Sequence, residues 1–295
     1  MTQCTFATPL NHPGPPLAQR RISVPTASRA VSVSLPAGPR LIDALDTALA
    51  GLGVTCAQVE LLDGTLSRVS YCYPALVEDG SAAVGYSSTK EAVVPARLVA
   101  GSVTVGFRAG QRFIHCHAAW FDGHGTLRGG HLWPETSIGP GPVQAIIHAL
   151  DSVETTSATD PESTLPVFTP RPRASHGLPL ADTRRAVMTR LAPGVDLTTA
   201  VADIMAEHGF AKATIGGTLG SLVGAVLRRE GSVLVVDGPA TEVTLNGHFD
   251  ATAGGEPVVS AIAIDRFGTV HTGLLIPGEN LVAVTAELLV EEVRW

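Results

Sequence analysis

The chain has 295 residues, of which 45% are apolar and 16% charged, enough to bury full cores without disulfide staples. A formal charge of −7, from 20 Lys+Arg against 27 Asp+Glu, leaves no basic block suited to a phosphate backbone, so nucleic acid is not expected as a partner. Mean hydropathy is +0.25, yet there is no apolar run of about 18 residues and no signal-type opening, so the sequence reads as cytoplasmic and without a membrane span.

In chain order, residues 1–29 form a Pro-rich arm. Residues 30–153 form a first domain, opening through a Pro/Gly turn into a helix over Arg40–Leu52. Leu41, Leu45, Leu49 and Leu52 recur there at helical spacing, and Gly53 sits where a helix-ending glycine belongs. Short β-branched segments follow, including VSYCYPAL, RLVAGSVTVGF, FIHCHAAWF and VQAIIHAL, with hairpin punctuation between them. Residues 154–183 are rich in Pro, Ser and Thr and read as an extended, solvated linker. Residues 184–295 form a second domain, with a helix predicted over Asp196–Glu207 and a closing Gly209.

The two domains repeat one another. Gly38, Leu41, Ala44 and Gly53 match Gly194, Leu197, Ala200 and Gly209 at a spacing of 156 residues, and Gly125-Thr126-Leu127 matches Gly268-Thr269-Val270 at 143. One helix followed by adjacent strands in each copy predicts an α+β fold with mainly antiparallel sheet. The four cysteines, Cys4, Cys56, Cys72 and Cys116, lack metal or redox spacing and read as reduced thiols.

The chemically loaded stretch runs from Arg112 to Leu132. Side chains on a strand alternate, so His115 and His117 share a face and Cys116 takes the other. A hairpin centred near His124 sets His131 directly opposite His117, with Cβ atoms about 5 Å apart. Three imidazoles then converge and leave coordination positions open, as at a ligand-binding or catalytic metal. Gly129 and Gly130 clear room for a ligand or a neighbouring backbone. The second copy cannot build this site, because Val258, Ser260 and Leu274 stand at the corresponding positions.

The HCH run, the D-G-H-G-T-L-R-G-G-H-L segment after it and the G-T-L-G-S stretch at Gly217–Ser221 resemble the PPC domain (plants and prokaryotes conserved domain). The resemblance covers both halves, about 30–153 and 184–295, with the histidines in the first. It implies two tandem domains of antiparallel sheet with a packed helix and a trimeric homo-oligomer. It also implies a divalent metal, zinc in the family pattern, on His115, His117 and His131. Plant members accompany AT-hooks, but no Arg-Gly-Arg core is present here.

Other candidates carry two readings each. Glu135 follows Pro134; a bend there brings its carboxylate to the open side of the metal as a general acid/base, and otherwise it is an exposed loop residue. Tyr71 and Tyr86 are candidates to hydrogen-bond a substrate or to pack in the sheet. Arg112 and Arg128 flank the hairpin and suit either a substrate carboxylate or a surface ion pair. Gly217, Gly220 and Ser221 lie in a run of small residues whose amides are candidates to cap a metal-bound ligand.

The leading expectation is a metal-dependent enzyme acting on a small carboxylate-bearing molecule such as an organic acid, with lyase, isomerase and hydrolase chemistry all open. A non-enzymatic ligand or metal sensor is the first alternative. A DNA-associated regulator, by analogy with the plant relatives, is the second.

Overall fold

A computed structural model describes residues 8–179, 182–252 and 257–293; Cys4 lies outside them. The principal elements of the first half are β1 (Arg21–Leu35), α1 (Leu41–Leu52), β2 (Ala57–Arg68), β3 (Ala96–Arg108), β4 (Gln111–Phe121), β5 (Leu127–Leu132) and β6 (Val143–Leu150). A hairpin of β7 (Val153–Thr159) and β8 (Pro166–Pro172) leads to the second half. There follow β9 (Arg184–Leu191), α2 (Leu197–His208), β10 (Lys212–Leu222), β11 (Thr241–Asp250), β12 (Val258–Ile264), β13 (Val270–Leu275) and β14 (Val282–Glu292). Among the described residues no helix is long and apolar enough to cross a membrane.

The halves share one plan, as the sequence repeat predicts. In the first, β2 pairs antiparallel with β3 and β6, and β6 with β1. In the second, β10 pairs with β11 and β14, and β14 with β9. Each half buries its own apolar core against its helix. On α1 the stripe Leu41, Leu45 and Leu49 is fully covered while Asp43 stays exposed. Truncating Leu45 to Ala would cost about 2–5 kcal/mol. Asp196 caps α2 by accepting from the Thr199 amide at 2.9 Å, a contact worth about 1 kcal/mol. Gly53 and Gly209 end the helices at φ +72° and +65°, where a side chain would be strained.

Two expectations need correction. The proline-rich arm ends sooner than its composition suggests, because residues from Arg21 onward are strand. That strand joins the halves: β1 pairs with β6 through residues 28–35 and with β9 through 21–28. The supposed solvated linker is also structured. β7 pairs antiparallel with β8 and runs parallel to β3 through Thr156 and Ser157. Val153, Thr155 and Ser157 alternate inward beneath a composition that reads as loop. Prolines occupy both ends of β8 and the turn at Pro161. The Asp160 carboxylate in that turn meets Arg190 at 2.5 Å, both side chains being buried.

Candidate metal centre

The β4–β5 hairpin has the register read from the sequence, with His117 opposite His131. His115 lies one pleat along the same face, and the three ring centroids are 4.6, 5.1 and 5.4 Å apart. One ligand atom from each lies within 4.8 Å of the others. Cys116 points into the core, where burial pushes its thiol up out of the reactive range.

The second half completes the site. His115 Nδ1 is hydrogen-bonded to the Glu287 carboxylate on β14. The same carboxylate accepts from the hydroxyls of Thr104 at 3.4 Å and Thr285 at 3.3 Å. His117 Nδ1 donates to the Val243 carbonyl on β11 at 3.1 Å. A carbonyl oxygen only accepts, so His117 carries its proton on Nδ1 and turns the Nε2 lone pair inward. His115, facing a carboxylate through Nδ1, does the same. The two Nε2 atoms stand 3.0 Å apart, a spacing met either by an N–H···N hydrogen bond between the rings or by one cation shared between the two lone pairs.

Two further buried atoms at the site, His131 Nδ1 and Glu242 Oε2, lack a hydrogen-bond partner among the described residues. Glu242 Oε1 lies 3.6 Å from His117 Nε2 and 3.7 Å from His131 Nδ1. Burial, with the nearby His115, holds His117 and His131 well below the usual imidazole range and therefore neutral, the form that binds a metal. Burial likewise lifts the Glu242 carboxyl well above the usual carboxylate range when no ion is present. The residues therefore fit a divalent first-row ion.

The site opens on a cavity of about 210 Å³. Phe113, Phe168, Trp133 and Tyr86 line it as aromatic wall, and Arg108 is the one cation among its lining residues. Tyr86 is brought in by the small sheet of Pro74–Ala75 with Gly85–Tyr86, and its ring lies 5.4 Å from His131. Gly220 and Ser221 also line the cavity.

Several sequence candidates fall elsewhere. Tyr71 stacks edge-on against buried Trp120 at 4.9 Å and belongs to the core. Arg112 pairs with Asp46 at 2.6 Å and caps the Thr55 carbonyl. Arg128 pairs with Asp122 at 3.4 Å beside the hairpin turn. Glu135 is an exposed turn residue, because Pro134 directs the chain back toward the Ser137 bridge and away from the cavity. Gly217 sits at an irregularity in β10 against Gln58 and Val59, where a Cβ would meet Val59 N at 2.8 Å. The small-residue run is thus strand rather than capping loop, its backbone engaged in the ladders with β11 and β14.

Gly129 serves the close approach that its position suggests, but the neighbour is the same chain: a Cβ there would meet Ile264 at 2.6 Å. In the second half Ser260 pairs with Leu274 as His117 does with His131. Those two residues line a separate cleft of about 770 Å³.

Glu242, Glu287 and Arg108 were not singled out by sequence reasoning. The available signal was an acidic residue inside an otherwise apolar strand, in Thr241-Glu242-Val243-Thr244-Leu245 and in Ala286-Glu287-Leu288-Leu289-Val290. A carboxylate in such a run is buried only where something compensates it.

Residues 181–294 match the profile of the Plants and Prokaryotes Conserved (PCC) domain, the domain abbreviated PPC above. The match falls on the half without the histidines. No curated protein matches the chain. Among solved structures, a plant- and prokaryote-conserved protein from Pyrococcus horikoshii is 15% identical at a TM-score of 0.38, covering 49% of this chain and 94% of that one. A metal-containing protein from Archaeoglobus fulgidus is 18% identical at 0.36, covering 48% and 92%. A protein named "Putative DNA-binding protein", from Ralstonia eutropha, is 16% identical at 0.38, covering 46% and 88%. That last name corrects the expectation drawn from net charge.

Proposed function

Starting from a chain whose second half belongs to the PCC domain family, we propose that it holds one divalent metal ion, zinc in the first instance, on His115, His117 and His131. We propose further that it acts there on a small carboxylate-bearing molecule. The observation that carries this reading is the outward anchoring of two imidazoles. Glu287 and Val243 take the Nδ1 protons, leaving both Nε2 atoms turned toward one point. Such outer partners fix ring orientation and tautomer at metal sites.

A divalent ion bound there supplies Lewis-acid polarisation of a ligand oxygen. The chain's own residues select and hold the ligand. The aromatic wall admits a small apolar or planar body and sheds water from it. Arg108, at the rim, has its guanidinium over the Phe113 ring at 5.2 Å and no carboxylate partner among the described residues. A planar, forked donor in that place suits a ligand carboxylate.

Elemental analysis of the purified full chain tests the metal. One equivalent per chain is expected, and its loss in His115→Ala, His117→Ala and His131→Ala. Full occupancy in all three variants would overturn the reading. A thermal-shift screen of small mono- and dicarboxylic acids against the metal-loaded protein tests the ligand class. A stabilising acid should lose its effect in Arg108→Ala.

A further inference from the structure

We propose that Glu242 is a fourth protein ligand of this metal, so that one chain builds its centre from both repeats: three imidazoles from the first and a carboxylate from the second. The inference rests on the three-histidine reading above and adds a residue to it.

Distance is the first argument. Nitrogen and oxygen ligands of zinc sit at 2.0–2.2 Å, which places tetrahedral neighbours about 3.3–3.6 Å from each other. Glu242 Oε1 lies 3.6 and 3.7 Å from nitrogens of His117 and His131. That is too far for hydrogen bonds and near the spacing of two ligands on one ion.

Burial is the second. Glu242 is 2% exposed, and its other oxygen has no partner among the described residues. A carboxyl group removed from water this completely persists where a cation or donors compensate it. Glu287, equally buried, has its donors in His115, Thr104 and Thr285. Glu242 has no side-chain donor within hydrogen-bond distance among the described residues; it faces the imidazole nitrogens of His117 and His131 and, besides them, the backbone of His131.

The repeat supplies the third. Leu66 faces Ala96 across β2–β3, and Leu222 faces Thr241 across β10–β11, so Glu242 corresponds to Arg97. The strand on the other side gives the same answer, since Phe121 faces Arg97 as Ile264 faces Glu242. Arg97 is exposed and lies over the Phe121 ring at 5.2 Å. The histidines stand in the copy that faces Glu242, and the carboxylate stands in the copy that faces the histidines. An exogenous ligand must therefore enter as a fifth donor or displace Glu242.

The test uses the full chain, stripped of metal and titrated with Co²⁺ and then Zn²⁺ in competition with a chelator. Glu242→Gln and Glu242→Met keep the volume and replace the carboxylate by a neutral amide oxygen and by a thioether, both weaker donors to these ions. Loss of an outer-shell partner lowers metal affinity about 10–100-fold, and loss of a direct ligand should exceed that range. The visible absorption of the Co²⁺ form should change in both band position and intensity. The melting temperature of the metal-free protein should rise in Glu242→Met, because a buried carboxyl with no side-chain donor has gone, while the rise on adding metal shrinks. That opposite movement separates a ligand from a structural residue, and it also shows that the variant folds. Glu135→Gln serves as the control that changes neither reading. Wild-type affinity and spectrum in both Glu242 variants would overturn this inference and leave the three-histidine site standing. Absence of Co²⁺ and Zn²⁺ binding by the wild type would overturn both.

Discussion

His115 on β4 and Glu287 on β14 meet across the two halves of the chain, the imidazole donating through Nδ1 to a carboxylate that is fully buried. The contact sets the direction of the histidine's free nitrogen, so the geometry of the first half's site is dictated by the second. Glu287→Gln keeps the shape but offers a weaker acceptor whose amide can turn a donor toward the ring. Metal affinity should fall about 10–100-fold, read by chelator competition, with stoichiometry kept at saturating metal. Unchanged affinity would make Glu287 a buried residue without influence on the site.

What the sequence made legible was the part governed by short periods. Alternation placed His115 and His117 on one face, and the turn at Asp122–Gly125 fixed His131 opposite. Helical spacing found both helices to within a residue at each end. What stayed hidden depended on contacts between the halves. Neither Glu242 nor Glu287 lies near the histidines in sequence, and no local rule says that β11 and β14 cover the β4–β5 face. The β7–β8 hairpin was hidden for a different reason. Its inward positions are filled by Thr155 and Ser157, whose composition signals loop even where alternation signals strand. Glu135 and Arg128 are near the histidines in sequence but not in space, the one exposed in the turn after Pro134 and the other paired with Asp122.

Gly220 offers a test of strand against loop. It lies in β10, and an added Cβ would meet the Ala286 backbone and the Thr285 carbonyl at 2.6 Å. Gly220→Val should therefore lose stability by at least about 1–3 kcal/mol, the usual cost of overpacking, visible as a lower urea midpoint. A variant of wild-type stability that had lost only ligand binding would return these residues to the role of a flexible cap.

The turn between β7 and β8 offers another. Asp160 accepts from Ser163 N at 2.8 Å and pairs with Arg190, whose side chain is almost wholly covered. Asp160→Ala strands a buried guanidinium, and breaking such a pair costs about 3–5 kcal/mol. The melting temperature should drop by several degrees or more. A loss no larger than that of an exposed substitution would restore the reading of residues 154–183 as a passive linker.

His148 gives the pH dependence of the joint between the halves. By register His148 on β6 corresponds to Glu291 on β14, since Leu35 faces Val143 as Leu191 faces Ala286. These two equivalent residues touch, His148 Nδ1 lying 2.9 Å from Glu291, while Nε2 lies 2.8 Å from Glu60. Burial pulls the imidazole down, but hydrogen bonds to Glu291 and Glu60 and their charges outweigh it, raising it to about 9. Burial raises the Glu291 carboxyl, and the hydrogen bond from His148 outweighs that in turn, leaving it below the usual range. A histidine raised in the folded state contributes stability that is complete below its unfolded value near 6.5 and is lost as pH climbs through the folded value. Glu291 acts in the opposite direction, its share being lost as the solution becomes acidic. The His148 share amounts to roughly 3 kcal/mol. Urea midpoints of the wild type should therefore fall steadily from about pH 6.5 to about pH 9. His148→Leu should be less stable at neutral pH, with Glu60 and Glu291 left facing one another, and should lose that alkaline slope. A wild-type midpoint that stays level across this interval, or a slope that survives in the variant, would mean that the joint between the halves does not depend on the charge of His148.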